Sequence, residues 1–240
     1  MTTTTTWVTP PLAVLLDYDG TLVDTEPLWI QGEIDLLTGY GVPWTYEQGR
    51  LLCGTSREVS MAALLAAMAE HGRDGDVDPD AFYDQLWRTV DVRAHADGLP
   101  WLPGAVDLLA GLAEAGVPCA LVSASPRPML DSALASFGRH SISVVIAGGD
   151  MPEAKPAPDG YLMAAERLGV DPADCLVIED TEAGTAAGRA AGAVVVAVPR
   201  MRALPPSPGQ VNLAGGLAGV TPDRLRELYA QVRAGEAVPR

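Results

Sequence analysis

The sequence is poor in basic residues and in long apolar runs, and each shortage excludes a class of protein. Its 240 residues include 16 basic and 31 acidic ones, which gives a formal net charge of −15. Nucleic acids and anionic membranes are bound by basic faces, so we expect neither as a partner. No apolar run approaches the roughly 20 residues that cross a bilayer. The Thr-rich segment 1–11 lacks the features of a signal peptide, and we expect it to be a flexible tail.

Cysteine and lysine are scarce as well. Cys53, Cys119 and Cys175 are scattered without metal-ligand spacing, and two of them lie in apolar, strand-like runs. Such unpaired thiols are typical of small core residues in a reducing compartment, so we expect a cytoplasmic protein. The only lysine, Lys155, stands among arginines at every other basic position. Either a composition bias missed one position, or this position needs a compact point charge.

Apolar residues make up 48% of the chain, which is enough for a folded core. Short apolar runs alternate with helical patterns, and this alternation predicts an α/β fold with a doubly wound, Rossmann-like parallel sheet. The predicted strands are 12–16, 118–122, 143–147, 175–178 and 193–198. The helices between them, 105–115, 129–137, 161–168 and 184–191, are each followed by a glycine that could take the left-handed cap position: Gly116, Gly138, Gly169 and Gly192.

One long stretch interrupts this alternation. Residues 26–98 hold no convincing strand but show helical patterns at 28–37, 59–70 and 81–92. We predict an inserted α-helical cap domain at 26–98, which leaves 12–25 and 99–240 as the α/β core. Ligands of open α/β sheets bind at the carboxyl ends of the strands, so the cap would cover the site. The segment 200–219 is rich in proline and glycine, and 222–232 is predicted to be a last helix.

Acidic side chains follow two of the predicted strands. Asp17 and Asp19 come directly after the first strand, and their spacing of two puts them on the same side of it. Glu179 and Asp180 follow the fourth strand, and Ser123 follows the second. Because the carboxyl ends of parallel strands share one edge, we expect these groups to converge.

The summed charge of that edge requires a cation. Four ionised carboxylates carry −4, and Lys155, between the third and fourth strands, returns only +1. A phosphate dianion added to this site at low dielectric would be strongly repelled. A divalent metal with oxygen ligands relieves the repulsion, and hard carboxylates favour Mg²⁺.

Four motifs in this order resemble the haloacid dehalogenase-like hydrolase superfamily: Asp17-Tyr-Asp-Gly-Thr21, Ser123, Lys155-Pro156 and Glu179-Asp180. The resemblance covers about 12–198 and is closest to the helical-cap branch, which contains sugar-phosphate phosphatases and β-phosphoglucomutase. It implies a Mg²⁺-dependent phosphatase that hydrolyses a small phosphorylated metabolite, such as a sugar or polyol phosphate. For a capped enzyme of this size we expect a monomer.

Carried over residue by residue, the resemblance implies that Asp17 is the nucleophile and forms an aspartyl-phosphate. Asp19 would be the general acid and base. Mg²⁺ would be held by the side chains of Asp17 and Asp180 and by the backbone carbonyl of Asp19, with Glu179 bound directly or through water. Formation of an aspartyl-phosphate is covalent catalysis, which splits one difficult displacement into two easier ones.

The resemblance also implies substrate contacts. Ser123, Ala124 and Lys155 are expected to bind the phosphoryl group. In the cap, Arg57 resembles the arginine with which β-phosphoglucomutase binds the far phosphate of a sugar bisphosphate, although a solvated arginine is an equal alternative. Trp29 stands where the mutase has a histidine.

Three functions therefore stay open. Trp29 and the segment after Ser123 favour a phosphatase, Arg57 keeps a β-phosphoglucomutase-type mutase in view, and a non-catalytic phosphoryl-binding or receiver-like module is the third. The helical insert would have no purpose in a receiver domain. We expect the substrate to be selected by cap residues among Trp29, Arg57, Ser60 and Arg50.

Overall fold

A parallel β-sheet forms the centre of the computed structural model, which describes residues 8–75, 77–96, 98–200 and 202–235. Within these residues the sheet has six strands in the order β3-β2-β1-β4-β5-β6. Their bounds are β1 Ala13–Leu16, β2 Cys119–Val122, β3 Ile142–Ile146, β4 Cys175–Glu179, β5 Val194–Ala197 and β6 Gln210–Asn212. From β1 the strand order runs through β2 to β3 on one side and through β4 and β5 to β6 on the other. This reversal of strand order at β1 confirms the predicted doubly wound, Rossmann-like fold. Most of the predicted tail, 1–7, lies outside the described residues.

Helices occupy both faces of the sheet and the segment that follows β1. Their bounds are α1 Glu26–Gly39, α2 Tyr46–Leu52, α3 Arg57–Glu70, α4 Pro79–Ala96, α5 Ala105–Glu114, α6 Arg127–Ser136, α7 Asp159–Leu168, α8 Glu182–Ala190 and α9 Pro222–Ala234. No helix in the described part of the chain is long and apolar enough to cross a membrane.

The four central strands are buried on both sides because their side chains alternate between two apolar layers. Leu16, Leu121 and Ile178 belong to the cluster under α5, α6 and α9, whereas Leu15 and Val177 belong to the cluster under α7 and α8. The four central strands β1, β2, β4 and β5 therefore read as nearly continuous apolar runs in the sequence, as expected for strands covered on both faces.

Helices α1 to α4 form the cap. They follow β1 without an intervening strand, and they share an apolar cluster of their own that includes Leu37, Leu64, Met68 and Phe82. The helical cap is thus present where the sequence predicted it. The exact division of the chain at 26 and 98 stays a prediction.

Two elements were not predicted. Helix α2 begins at a capping box in which Thr45 and Gln48 exchange side-chain and backbone hydrogen bonds, but it has only seven residues and an internal glycine. Strand β6 lies within the Pro- and Gly-rich segment 200–219, for which no strand was predicted, and it forms because it pairs with β5.

The glycine caps were predicted correctly in three of four cases. Gly116, Gly169 and Gly192 have φ values of +68°, +71° and +89°. Gly138 does not take a left-handed conformation, because α6 has already ended at Ser136 and Phe137 is extended.

We predict that Gly104→Ala destabilises the fold more than Gly116→Ala. Both glycines have positive φ, which costs an alanine about 1–2 kcal/mol. A methyl group on Gly104 would also lie 2.1 Å from the carbonyl oxygen of Leu217, and such overpacking adds about 1–3 kcal/mol. At Gly116, no atom of the described residues beyond its chain neighbours lies within 4 Å of that position. Urea unfolding of both variants measures the difference, and equal losses would contradict the packing argument.

Candidate active site

The register of the sheet brings the predicted acidic residues to one edge. Leu16 pairs with Leu121 on one side and with Ile178 on the other. The next residues, Asp17 and Glu179, therefore emerge side by side, and the Asp17 amide donates to the Ile178 carbonyl at 3.1 Å. Both side chains are buried.

Lys155 lies between these two carboxylates. Its ammonium donates to Asp17 Oδ1 at 2.7 Å, to Glu179 Oε1 at 2.6 Å and to the carbonyl oxygen of Val122 at 2.9 Å. All three of its protons are thus used. Although burial alone lowers the pKa of Lys155, Asp17 and Glu179 raise it well above its ordinary value. The lysine is a fixed cation at this edge.

Glu179 is held by more donors than any other acid of the site. Besides Lys155, the Tyr161 hydroxyl donates to its Oε1 at 2.8 Å. Its Oε2 accepts bonds from the Asp180 amide and from the amide and hydroxyl of Thr181, at 3.1 to 3.2 Å. A methyl group on Gly184 would lie 1.7 Å from Oε1. Both oxygens are therefore engaged by protein groups.

Asp180 approaches Asp17 from the loop after β4. The Thr21 hydroxyl donates to its Oδ1 at 3.3 Å, and its Oδ2 lies 2.4 Å from the place a methyl group on Gly20 would take. Gly20 also has φ of +76°. Glycine is required here both for the turn and for the close approach of the carboxylate.

Asp19 is separated from this cluster and bound by a set of hydroxyl groups. Its Oδ2 accepts bonds from the Ser123 hydroxyl at 2.9 Å and from the Ser125 hydroxyl at 2.6 Å. Its Oδ1 accepts from the Thr25 hydroxyl at 2.6 Å and from Trp29 Nε1 at 3.4 Å. The β2 loop and the start of the cap thus meet at this carboxylate.

Asp17, Glu179 and Asp180 form a buried acidic group in which one oxygen of each lies within 4.8 Å of the others. Burial, together with the charge of Glu179, raises the pKa of Asp17 to about 7. Burial and Asp17 raise the pKa of Asp180 well above its ordinary value. Lys155 lowers both pKa values but does not cancel the repulsion, because one ammonium faces three carboxylates.

This arrangement suits a divalent cation. The group is buried, rich in negative charge and offers hard oxygen ligands, the donor set that Mg²⁺ prefers. Asp17 and Asp180 have oxygens that Lys155 and Thr21 leave unoccupied, whereas both oxygens of Glu179 are taken. Glu179 is better placed to orient Lys155 and the 180–181 backbone than to bind a metal directly.

A cavity of about 190 Å³ runs from these residues into the cap. A single water needs roughly 10–15 Å³ by a comparable measure, so the space suits a small molecule. Ser123, Ala124 and Lys155 line its core end, and Trp29 and Ser60 line its cap side, as the sequence predicted for the substrate site. What each of these side chains binds stays a prediction.

The two cap arginines lie elsewhere. Arg57 donates to Asp80 at 2.6 Å, and its guanidinium lies 4.2 Å from the centre of the Tyr83 ring. Arg50 pairs with Glu47 on the exposed side of α2. Neither lines the cavity, which differs from the expectation that they select the substrate. Glu47 holds Arg50 on the exposed side of α2. Arg57 lies behind Tyr83, which lines the cavity, and is held there by Asp80.

Sequence reasoning missed several residues of the site. Ser125 and Thr25 bind Asp19, and only their nearness to Ser123 and to the predicted hinge could have indicated them. Tyr161 and Glu33 give no such signal, because their directions depend on how α7 and α1 pack.

Together the fold and this edge define a Rossmann-like α/β protein whose helical cap covers a buried group of acids. The chain matches the family model of haloacid dehalogenase-like hydrolases over residues 11–192. It belongs to that family.

Named relatives give the comparison more detail. The chain is 32% identical to hexitol phosphatase B of Escherichia coli over 189 residues, which is 78% of this chain and 83% of the relative. It is 36% identical to a bifunctional riboflavin kinase/FMN phosphatase of Arabidopsis thaliana, but it spans only 48% of that longer protein. Among solved structures, CbbY from Rhodobacter sphaeroides in complex with phosphate has a TM-score of 0.77 at 25% identity, covering 90% of this chain and 99% of CbbY.

We predict that the metal-free protein loses stability as the pH rises through about 7. The pKa of Asp17 in the folded state, about 7, lies above its unfolded value of about 4. The stabilisation is therefore complete below about pH 4 and lost as the pH rises through about 7. The raised pKa of Asp180 likewise makes the folded protein less stable as the pH rises.

Thermal unfolding in EDTA at pH 5.5 and pH 8 measures this effect, with a lower midpoint expected at pH 8. The control is Asp180→Asn, which removes one of the repelling charges and should make the difference between the midpoints at pH 5.5 and pH 8 smaller. Equal midpoints for the unsubstituted protein would contradict the pKa directions.

Proposed function

We propose that the protein is a Mg²⁺-dependent phosphatase that hydrolyses monophosphate esters of small metabolites through a phosphoryl group carried on Asp17. One observation carries the proposal. A buried carboxylate on Asp17 is paired with a fixed ammonium on Lys155, and a second carboxylate, on Asp19, stands two residues away among hydroxyl groups. The hexitol phosphatase relative supports the same class of reaction.

In the first step an Asp17 carboxylate oxygen attacks phosphorus, and the bond between phosphorus and the ester oxygen breaks. Lys155 offsets the negative charge beside the attacked group, and its three bonds fix its position. Asp19 enters this step in its protonated form and gives that proton to the leaving oxygen, which departs as an alcohol. The electron pair of the broken bond stays with that oxygen.

In the second step water attacks the phosphoryl group on Asp17. Asp19, having given up its proton, takes one from the water, and the bond to Asp17 breaks. Inorganic phosphate leaves, and both carboxylates return to their starting states. Ser123 holds Asp19 through its hydroxyl and lines the cavity beside Ala124.

The residues proposed to hold Mg²⁺ are Asp17 and Asp180, together with the backbone carbonyl of Asp19. When bound, the cation supplies positive charge that lowers the cost of bringing a phosphate to three carboxylates. Glu179 is proposed to act indirectly, by orienting Lys155 through their ion pair. The three free cysteines support the proposed cytoplasmic location, because they suit a reducing compartment.

Asp19 and Arg57 distinguish the proposed phosphatase reaction from dehalogenation and from the phosphomutase reaction. Cleavage of a carbon–halogen bond releases a halide that needs no proton, so a positioned acid such as Asp19 favours phosphoryl transfer. A mutase must bind a second phosphate, and Arg57, the residue expected to do so, is paired with Asp80 outside the cavity. A phosphatase is therefore proposed over a phosphomutase.

The proposal predicts release of inorganic phosphate from p-nitrophenyl phosphate in the presence of Mg²⁺. EDTA should abolish it, since the acidic group would again repel the substrate. Turnover that survives EDTA would exclude the metal requirement. With β-glucose 1-phosphate, formation of glucose 6-phosphate instead of glucose and phosphate would favour the mutase.

Asp17→Asn should lower turnover by about 10³-fold or more, because an amide oxygen is a poor nucleophile. The matched control is Asp107→Asn, which removes an exposed carboxylate from α5 and should leave the rate unchanged. Full activity of Asp17→Asn would rule out the covalent step on this residue.

A further inference from the structure

The cap side of the cavity contains a buried carboxyl group that the proposed reaction does not use. Glu33, on α1, is only 5% exposed and lines the cavity. Its Oε2 accepts a bond from Trp44 Nε1 at 3.1 Å. Its Oε1 accepts none from the residues that the structure describes. Because Glu33 lines the cavity, this oxygen is available to accept a hydrogen bond from a ligand there.

Glu33 is held in place by close packing. A methyl group on Gly49 would lie 2.7 Å from Glu33 Oε2 and 2.9 Å from a side-chain carbon of Ile30. The glycine in α2 thus allows that helix to lie directly against the carboxyl group. Burial raises the pKa of Glu33 to about 7, and no basic side chain contributes to lowering it.

The position of Glu33 places it away from the reacting groups. Glu26, Trp29, Ile30 and Glu33 share one face of α1 and line the cavity together. Thr25, just before this helix, donates to Asp19. Eight residues later, Glu33 lies about 12 Å further along the helix axis. A substrate whose phosphate is at Asp17 would present its other end toward Glu33.

The charges around the cavity are unequal. Among the described residues that line it, Lys155 is the only basic one, and it is already bound to Asp17 and Glu179. The cap side adds Glu26 and Glu33. Arg200 partly offsets the charge of Glu26, whereas no basic side chain acts on Glu33. A second phosphate or a carboxylate on the substrate would therefore meet the Glu33 carboxyl at that end with no basic side chain paired to it.

We propose that Glu33 binds a hydroxyl group of the substrate, and that the preferred substrates are monophosphates of neutral polyhydroxylated molecules, not bisphosphates or phosphorylated acids. A hydroxyl donates to Glu33 Oε1 and completes the hydrogen bonding of the buried carboxyl. The apolar neighbours Leu52, Met61 and Leu86 line the same end and exclude water from this contact. This inference rests on the proposed phosphatase function and narrows its substrate class.

The test compares four substrates: glucitol 6-phosphate, fructose 1,6-bisphosphate, 2-phosphoglycolate and p-nitrophenyl phosphate. The last has no hydroxyl to bind, so its turnover reports the fold and the chemistry alone. The unsubstituted protein should favour glucitol 6-phosphate in kcat/KM over the bisphosphate and over phosphoglycolate.

Two variants separate the hydrogen bond of Glu33 from its charge. Glu33→Leu removes both and should lower kcat/KM for glucitol 6-phosphate about tenfold or more, mainly through KM, as expected for one lost buried hydrogen bond. Glu33→Gln keeps the hydrogen bonding and should lose less. In both variants, kcat/KM for fructose 1,6-bisphosphate should rise relative to kcat/KM for glucitol 6-phosphate. Turnover of p-nitrophenyl phosphate should stay within about twofold of that of the unsubstituted protein.

The control variant is Asp35→Asn, which removes a carboxylate from the same helix at a position that pairs with Arg93 outside the cavity. It should change none of the four activities. Equal losses on all four substrates in Glu33→Leu would show a structural role and overturn the inference, as would no change with glucitol 6-phosphate. An unsubstituted protein inactive on every substrate, including p-nitrophenyl phosphate, would instead overturn the proposed function itself.

Discussion

Lys155 donates simultaneously to Asp17, to Glu179 and to the carbonyl of Val122, and the rest of the site is arranged around these three bonds. Breaking a buried ion pair leaves an uncompensated charge, which costs about 3–5 kcal/mol. The three acceptors come from β1, β4 and β2, so one ammonium links the carboxyl ends of three adjacent strands. Parallel pairing of those strands is what brings the acceptors together.

Small residues and a tyrosine make this concentration of charge possible. Gly184 leaves room for Glu179, and Gly20 leaves room for Asp180. Gly148 does the same for the β2 loop, since a methyl group there would lie 2.2 Å from the carbonyl oxygen of Ala124. Tyr161 supplies Glu179 with a further donor from α7. The acids are close because their backbones are close.

The acidic core of the site could be predicted from the sequence because Asp17 and Glu179 come at the carboxyl ends of buried strands. An apolar run ending in Asp17 or Glu179 fixes both the element and the edge at which the side chain emerges. The single lysine added a compositional signal that pointed to the same place. These inferences need only local sequence and the geometry of parallel sheets.

What could not be predicted depends on contacts between distant segments. Strand β6 has three residues in an irregular-looking segment, and only its pairing with β5 makes it a strand. The direction of Arg57 is set by Asp80, 23 residues away, and the burial of Glu33 by Trp44 and Gly49. Residue type and spacing carry no information on such contacts. The cap, which is expected to select the substrate, is therefore the part that the sequence describes least.

The central claim is that Asp17 carries the phosphoryl group, and trapping that group tests it most directly. In Asp19→Asn, p-nitrophenyl phosphate can still react, because nitrophenolate leaves without a proton, but water is no longer activated. Acid quenching followed by peptide mass spectrometry should then find one phosphoryl group on the peptide that contains Asp17. A phosphoryl group on Ser123, or phosphate release with no labelled peptide, would contradict the account.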